Sequence, residues 1–197
     1  MTRQVWLGAC ALLLCAAGPP GTDPDWPCVQ RLVPVVTAGS LWSGHTDAGD
    51  WRADPAIAEV VAAIAPRNRP VETGSARLEA YIATVPPADR PAKLAQVFTG
   101  LVDQTNFQRT QAIERLRAVA RRQRVMTEGT SRVTAELRAL TPDTPAATRE
   151  ELVSRRTLMI REYEEVGRII QYSCEVPVQL ESRLGQFLQV LQRGLPD

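Results

Sequence analysis

Residues 141–195 read TPDTPAATREELVSRRTLMIREYEEVGRIIQYSCEVPVQLESRLGQFLQVLQRGL, and this stretch decides the fold. Its apolar residues recur every three or four positions, a spacing that places them on one face of an α-helix. Because the repeat continues over several heptads, it is typical of a coiled coil. We predict one helix over about 146–192, kinked at Pro177, which lacks a backbone donor. The seam consists of Leu152, Arg156, Met159, Tyr163, Val166, Ile170, Cys174, Pro177, Leu180, Leu184, Leu188, Leu191 and Leu195.

The turn Thr141-Pro142-Asp143-Thr144-Pro145 separates this helix from a second long amphipathic stretch, which predicts a helix over about 89–140. Thr144 is the expected N-cap of the later helix, and Pro145 is its expected first residue. A turn this short makes the two helices antiparallel, so facing residues should have numbers that add up to about 286.

Two short helices and an irregular arm precede the hairpin. Asp54-Pro55 is typical of a helix start, and we expect two short helices within about 55–84, the second starting near Ser75, in a helical domain of 55–197. Residues 18–54 are rich in Gly, Pro, Asp and Trp and show no period. Large aromatic side chains favour docking of this arm. The predicted fold is all-α: a long antiparallel, coiled-coil-like hairpin, with the arm and short helices packed on the half distant from its turn.

Residues 1–17 are typical of a secretory signal peptide. Arg3 precedes an uncharged apolar run that ends in small residues suited to cleavage after Ala17. The run is too short to span a bilayer. The alternative is lipoprotein attachment, but Cys10 lies inside the apolar run and Cys15 follows a leucine. We therefore expect export to the periplasm or secretion.

Cys28 and Cys174 are the two cysteines that remain after this cleavage. Two distant cysteines in an exported chain usually pair. Closing a loop of this length stabilises the fold by roughly 4–5 kcal/mol in the loop-entropy model. We predict a disulfide that pins the arm to the middle of the hairpin; the alternative is two independent buried thiols.

The first long helix carries two polar features. Residues 104–111 read QTNFQRTQ where the seam should be apolar, and this layer either bonds to Gln171 and Ser173 or faces a ligand or partner. The basic cluster comprises Arg115, Arg117, Arg121, Arg122 and Arg124. Its last three residues are level with Glu165, Glu164 and Glu162 in the predicted register, so we expect them to pair, which would support that register; the alternative is that the cluster binds an anionic surface. The candidate partner surface comprises Trp26, Trp42, Trp51, Gln104, Gln108, Gln111, Arg121, Arg122 and Arg124.

The sequence lacks the motifs of common enzymes. His45 is the only histidine, and its loop with Asp47, Asp50 and Asp54 matches neither an EF-hand nor a zinc pattern. There is no P-loop, no dinucleotide-binding glycine motif, no nucleophile elbow and no haem-attachment motif. We expect no catalytic residues, no metal and no cofactor.

Charge narrows the classes of partner. Lys and Arg number 23 against 22 Asp and Glu, whereas a nucleic-acid binder needs a basic surface. We expect a periplasmic, non-enzymatic interaction or accessory subunit of an envelope complex, with a protein partner and at most peripheral membrane association. The alternative is a periplasmic chaperone or small-ligand carrier with a groove between arm and hairpin. A deep apolar pocket would favour the carrier, and an exposed apolar stripe at the hairpin tip would favour the interaction protein.

Overall fold

The computed structural model describes residues 23–42 and 49–196. Within these ranges the chain is all-helical, and its two longest helices pack together as the predicted hairpin. The helices are α1 (Pro55–Ile64), α2 (Val71–Thr84), α3 (Arg90–Ala139) and α4 (Ala146–Arg193). The arm contains a short 3₁₀ turn at Ala38–Ser40, and a second one, Trp51–Ala53, precedes α1. The predicted signal peptide with Cys10 and Cys15, and the loop residues His45 and Asp47, lie outside the described ranges.

One carboxylate starts α1 and ties it to α3. Asp54 accepts hydrogen bonds from the backbone N–H groups of Ala56, at 2.9 Å, and Ile57, at 3.3 Å. Its second oxygen accepts from Lys93 Nζ at 2.5 Å. These bonds, the one from Lys93 above all, lower the pKa of Asp54 from its ordinary value. The N-cap predicted at Asp54 is confirmed.

Helix α2 begins at Val71, directly after Pro70 and ahead of the predicted start near Ser75. Glycine is a weak helix former, but Gly74 lies inside α2 and is buried. A Cβ atom there would lie 2.8 Å from the ring of Phe187 on α4. This glycine therefore serves the close packing of α2 on α4 and does not interrupt the helix.

The turn between α3 and α4 departs from the prediction at its cap. Helix α4 begins at Ala146, and Pro145 occupies the N-cap position without a side-chain hydrogen bond. The Thr144 hydroxyl oxygen accepts from the backbone N–H of Thr141 at 3.1 Å. Thr144 therefore closes the turn and does not cap α4, because the helix starts one residue later than predicted.

Contacts across the hairpin agree with the predicted register. The guanidinium of Arg109 donates to the carbonyl oxygen of Pro177 at 3.2 Å, and these two residues face each other in that register. Nearer the turn, a Cβ atom on Gly129 would lie 2.6 Å from Met159 Cε. In the predicted register, Met159 is within about one helical turn of the residue that faces Gly129. The α3–α4 interface therefore extends from the middle of the hairpin towards its turn.

The main core lies at the end of the hairpin that is far from the turn, where α1, α2 and the arm cover α3 and α4. Trp42 stacks on Phe98 with 5.1 Å between ring centroids. Trp51 Nε1 donates to Asp103 at 2.9 Å. Gly100 permits this approach, since a Cβ atom there would lie 2.9 Å from the Trp51 ring. The predicted third layer of arm and short helices is present.

Candidate functional site

The arm crosses the hairpin at a disulfide between Cys28 and Cys174, with Cα atoms 5.7 Å apart. Cys174 is buried among Leu116, Val166 and Ile170, and Trp26 packs against this second, smaller cluster. The Trp26 indole donates to the carbonyl oxygen of Gln30 at 2.7 Å. The predicted pairing of the two cysteines, and the docking of Trp26 beside them, are both present in the fold.

The basic cluster on α3 binds the arm. Arg121 donates to Asp25 at 2.8 Å, and Arg124 donates to the other oxygen of the same carboxylate. Arg117 donates to Asp23 at 2.7 Å. Hydrogen bonds from Arg121 and Arg124 lower the pKa of Asp25. The cluster therefore anchors the first described residues of the arm.

The prediction that this cluster pairs with Glu162, Glu164 and Glu165 is wrong. Glu165 instead pairs with Arg168, one turn further along α4. Arg122 is exposed and makes no ion pair within the described ranges. The arm lies against the outer face of α3 and not in the seam between the helices. Its residues Asp23 and Asp25 therefore pair with the arginines that were predicted to pair with α4.

The polar stretch 104–111 also binds the arm and the end of α1. The Asn106 amide accepts from the backbone N–H of Val36 at 2.9 Å and donates to its carbonyl oxygen at 2.8 Å. Gln108 donates to the carbonyl oxygen of Ala65 at 3.0 Å. The predicted network with Gln171 and Ser173 is therefore wrong, because neighbouring main-chain groups satisfy these amides. Gln104 and Gln111 make no side-chain hydrogen bond in the described chain, and Gln111 is exposed.

Arg109, which no sequence motif marks as a functional residue, is 2 % exposed. Its guanidinium donates to the carbonyl oxygens of Pro177 on α4 and Val33 in the arm, and it forms an ion pair with Glu181. A buried arginine needs such partners, because burying an unpaired charge is costly. The sequence feature that could have identified Arg109 is an arginine at a core-facing position of the polar stretch.

Burial changes the interpretation of the predicted partner surface. Trp42 and Trp51 are each 6 % exposed, so they belong to the core and offer a partner no free face. Trp26 is half-buried beside the disulfide. The space between arm and hairpin at Trp26, Gln30 and Arg109 is about 90 Å³, whereas ligand pockets are about 300–1,000 Å³. At this position the described arm and the hairpin thus leave less space than a ligand pocket needs.

The tip of the hairpin, residues 125–165, lies beyond the short helices and the described part of the arm. On α3 the tip contains two buried residues, Gly129 and Val133, and α4 has no buried residue before Val166. By the rise of an α-helix, the tip extends about 20–30 Å. Large apolar side chains are exposed there: Val125, Val153, Leu158, Ile160 and Tyr163 are 38–61 % exposed.

A groove of about 340 Å³ runs along one flank of the tip between α3 and α4. Its α4 wall carries Ile160 and Tyr163, and its α3 wall carries a row of hydroxyl residues with Arg138. Thr127, Thr130 and Thr134 each donate to the carbonyl oxygen four residues earlier. Because their hydroxyl hydrogens are used within the helix, these threonines offer a ligand mainly methyl groups and acceptor oxygens.

Comparisons with protein-family models, curated proteins and solved structures gave no match. None of the helices in the described ranges is long and apolar enough to cross a membrane.

Proposed function

We propose that this chain is an exported, non-enzymatic interaction protein, an accessory subunit that presents the tip of its helical hairpin to a protein partner in the cell envelope. The observation that carries the proposal is the uncovered tip, where Leu158 is 58 % exposed and Ile160 is 38 % exposed. Exposed apolar patches on soluble proteins commonly mark interaction sites. The other half of the hairpin already uses its apolar residues in the core.

The envelope location is supported by the cysteines and by the predicted signal peptide. The Cys28–Cys174 disulfide suits an oxidising compartment, since such bonds rarely persist in the cytosol. A partner would then be a protein of the same compartment. Any association with the membrane would be peripheral.

The groove on the tip suits a helical segment of the partner. An amphipathic helix binds by laying apolar side chains into a groove between two helices. The Ile160 and Tyr163 wall supplies apolar contact, and Arg138 stands in the opposite wall. An acidic residue on the bound segment would fit beside this arginine.

Site-specific photo-crosslinking in the native host tests the proposal. The crosslinking amino acid is placed at Ile160 or Tyr163 in the wall of the groove on the tip, and at Gln189, an exposed α4 position outside the tip, as the control. We expect both tip positions to crosslink to the same envelope protein, and Gln189 not to do so. Identical crosslinks from tip and control, or none from the tip, would overturn the proposal.

A matched pair of variants then tests affinity for the captured partner. Ile160→Glu places a charge in the wall of the groove, whereas Val178→Glu changes an apolar residue of similar exposure outside the tip, 43 % against 38 %. We expect Ile160→Glu to weaken binding of the purified partner and Val178→Glu to leave it unchanged. Equal binding by both variants would contradict the assignment of the tip.

A further inference from the structure

A second cleft lies between the α1–α2 loop and α4, away from the tip. Its volume is about 310 Å³, and it is lined by Arg67, Asn68, Val176, Gln179, Leu180 and Arg183. The loop is held in place on both sides. Arg69 donates from its side chain to the carbonyl oxygen of Ala63 at 2.8 Å, and its own carbonyl oxygen accepts from Arg183 at 2.7 Å. These hydrogen bonds therefore fix the wall of the cleft that the loop forms.

Arg183 reaches this cleft without a counter-ion. Its guanidinium donates to the carbonyl oxygens of Ile64 and Arg69 and lies 4.9 Å from the centre of the Phe187 ring. Its Nε atom is buried without a hydrogen-bond partner, and no described carboxylate lies within ion-pair distance. Burial also lowers the pKa of Arg183 from its ordinary value, and Glu72 opposes this only from a distance. An anion in the cleft would offset this cost.

Three further donors face the same space. The side chains of Arg67, Asn68 and Gln179 line the cleft and make no hydrogen bond or ion pair within the described ranges. Arg67 is exposed and sits on the loop, across the cleft from α4. Guanidinium and amide groups together present the donor geometry that carboxylate and phosphate oxygens accept.

We propose that this cleft binds a small organic anion, a carboxylate or phosphate group carried on a compact apolar body. Arg67, Asn68, Gln179 and Arg183 would bind the oxyanion, and Val176 and Leu180 would contact the apolar body. The carboxylates nearest along the chain are Glu175 and Glu181 on α4, next to Val176 and Leu180, and Glu72 on α2. Glu181 pairs with Arg109, and the charges of Glu72 and Glu175 limit the affinity and make binding sensitive to salt. The site is independent of the tip.

Nuclear magnetic resonance titration of the full exported chain tests this site, with the side-chain amides of Asn68 and Gln179 as reporters. The probes are hexanoate, hexyl phosphate and inorganic phosphate. We expect saturable shifts of both amides at millimolar hexanoate or hexyl phosphate, and weaker binding of inorganic phosphate. Saturation by hexanoate alone assigns a carboxylate ligand, and saturation by hexyl phosphate alone assigns a phosphate ligand.

Variants separate this site from general charge attraction. Arg67→Gln should weaken binding about tenfold, the size of one charge-assisted hydrogen bond, and Gln179→Ala should weaken it less. Arg122→Gln, which removes an exposed and unpaired arginine outside the cleft, should change nothing. The proposal is overturned if no probe saturates or if Arg122→Gln weakens binding as much as Arg67→Gln. Equal affinity for inorganic and hexyl phosphate would overturn the apolar part of the ligand.

Discussion

The guanidinium of Arg109 donates a hydrogen bond to the carbonyl oxygen of Pro177, 3.2 Å away on the opposite helix. The same group holds the arm through Val33 and forms an ion pair with Glu181. Three segments distant in sequence therefore meet at one buried side chain. Arg109 therefore connects α3, α4 and the arm in the half of the hairpin that the arm covers.

Replacing Glu181 should destabilise the protein more than replacing an exposed partner. Glu181→Gln leaves Arg109 buried without its counter-ion, so we expect the free energy of unfolding to fall by about 1–3 kcal/mol. Glu165→Gln, which breaks the exposed pair with Arg168, should cost much less, because solvent screens exposed ion pairs. Urea denaturation measures both variants. If they are equally stable, the buried pair does not have the role described here.

Reduction of the disulfide should release the arm before the helices unfold. Cys28→Ser and Cys174→Ser should each lower stability by up to roughly 4–5 kcal/mol, and the double variant should add little to either. Reduction should release Trp26 first, while Trp42 stays stacked in the main core. We expect a change in Trp26 fluorescence, read in a variant with Phe at the other described tryptophans, and nearly constant helical circular dichroism. Two free thiols in the unfolded, unreduced chain would contradict the bond.

Acid should weaken the arm at Asp25. Hydrogen bonds from Arg121 and Arg124 lower its pKa in the folded protein below the ordinary 3.8. The stabilisation is therefore complete above 3.8 and is lost as the pH falls through the lower, folded pKa. The indole N–H resonance of Trp26 should shift over that acidic range, and Asp25→Asn should remove much of this dependence. Asp143→Asn, in the exposed turn, serves as the control, and an unchanged profile in Asp25→Asn would count against the anchor.

Two glycines of the hairpin should respond to alanine with opposite signs. A Cβ atom on Gly100 would lie 2.8 Å from Val61 and 2.9 Å from the Trp51 ring, so Gly100→Ala should cost about 1–3 kcal/mol through overpacking. Gly185 has open space around its Cβ position. Gly185→Ala should therefore stabilise α4 by about 0.5–1 kcal/mol through lower backbone entropy. Thermal unfolding of the two variants gives the comparison, and a shared sign would argue against the Gly100 packing.

The helices were predictable because their information is local. Apolar periodicity and the proline-rich turn predict α3, α4 and their antiparallel pairing within a few residues. The register was predicted correctly, although the ion pairs expected to support it were wrong. The length of the turn, and not a pairing of Arg121 with Glu165, determines which residues face each other. The contacts of the arm were not predictable. An irregular segment carries no period, so nothing local says that Asp25 reaches Arg124 or that Val33 reaches Arg109.

The disulfide also has a mechanical meaning. It closes a covalent ring in which Cys28 and Cys174 are 146 positions apart, and α1, α2, α3 and more than half of α4 lie within this ring. A force applied between the two chain ends passes through the sulfur–sulfur bond and bypasses everything inside. The tip would therefore keep its shape under a load that unravels the segments on either side of the ring.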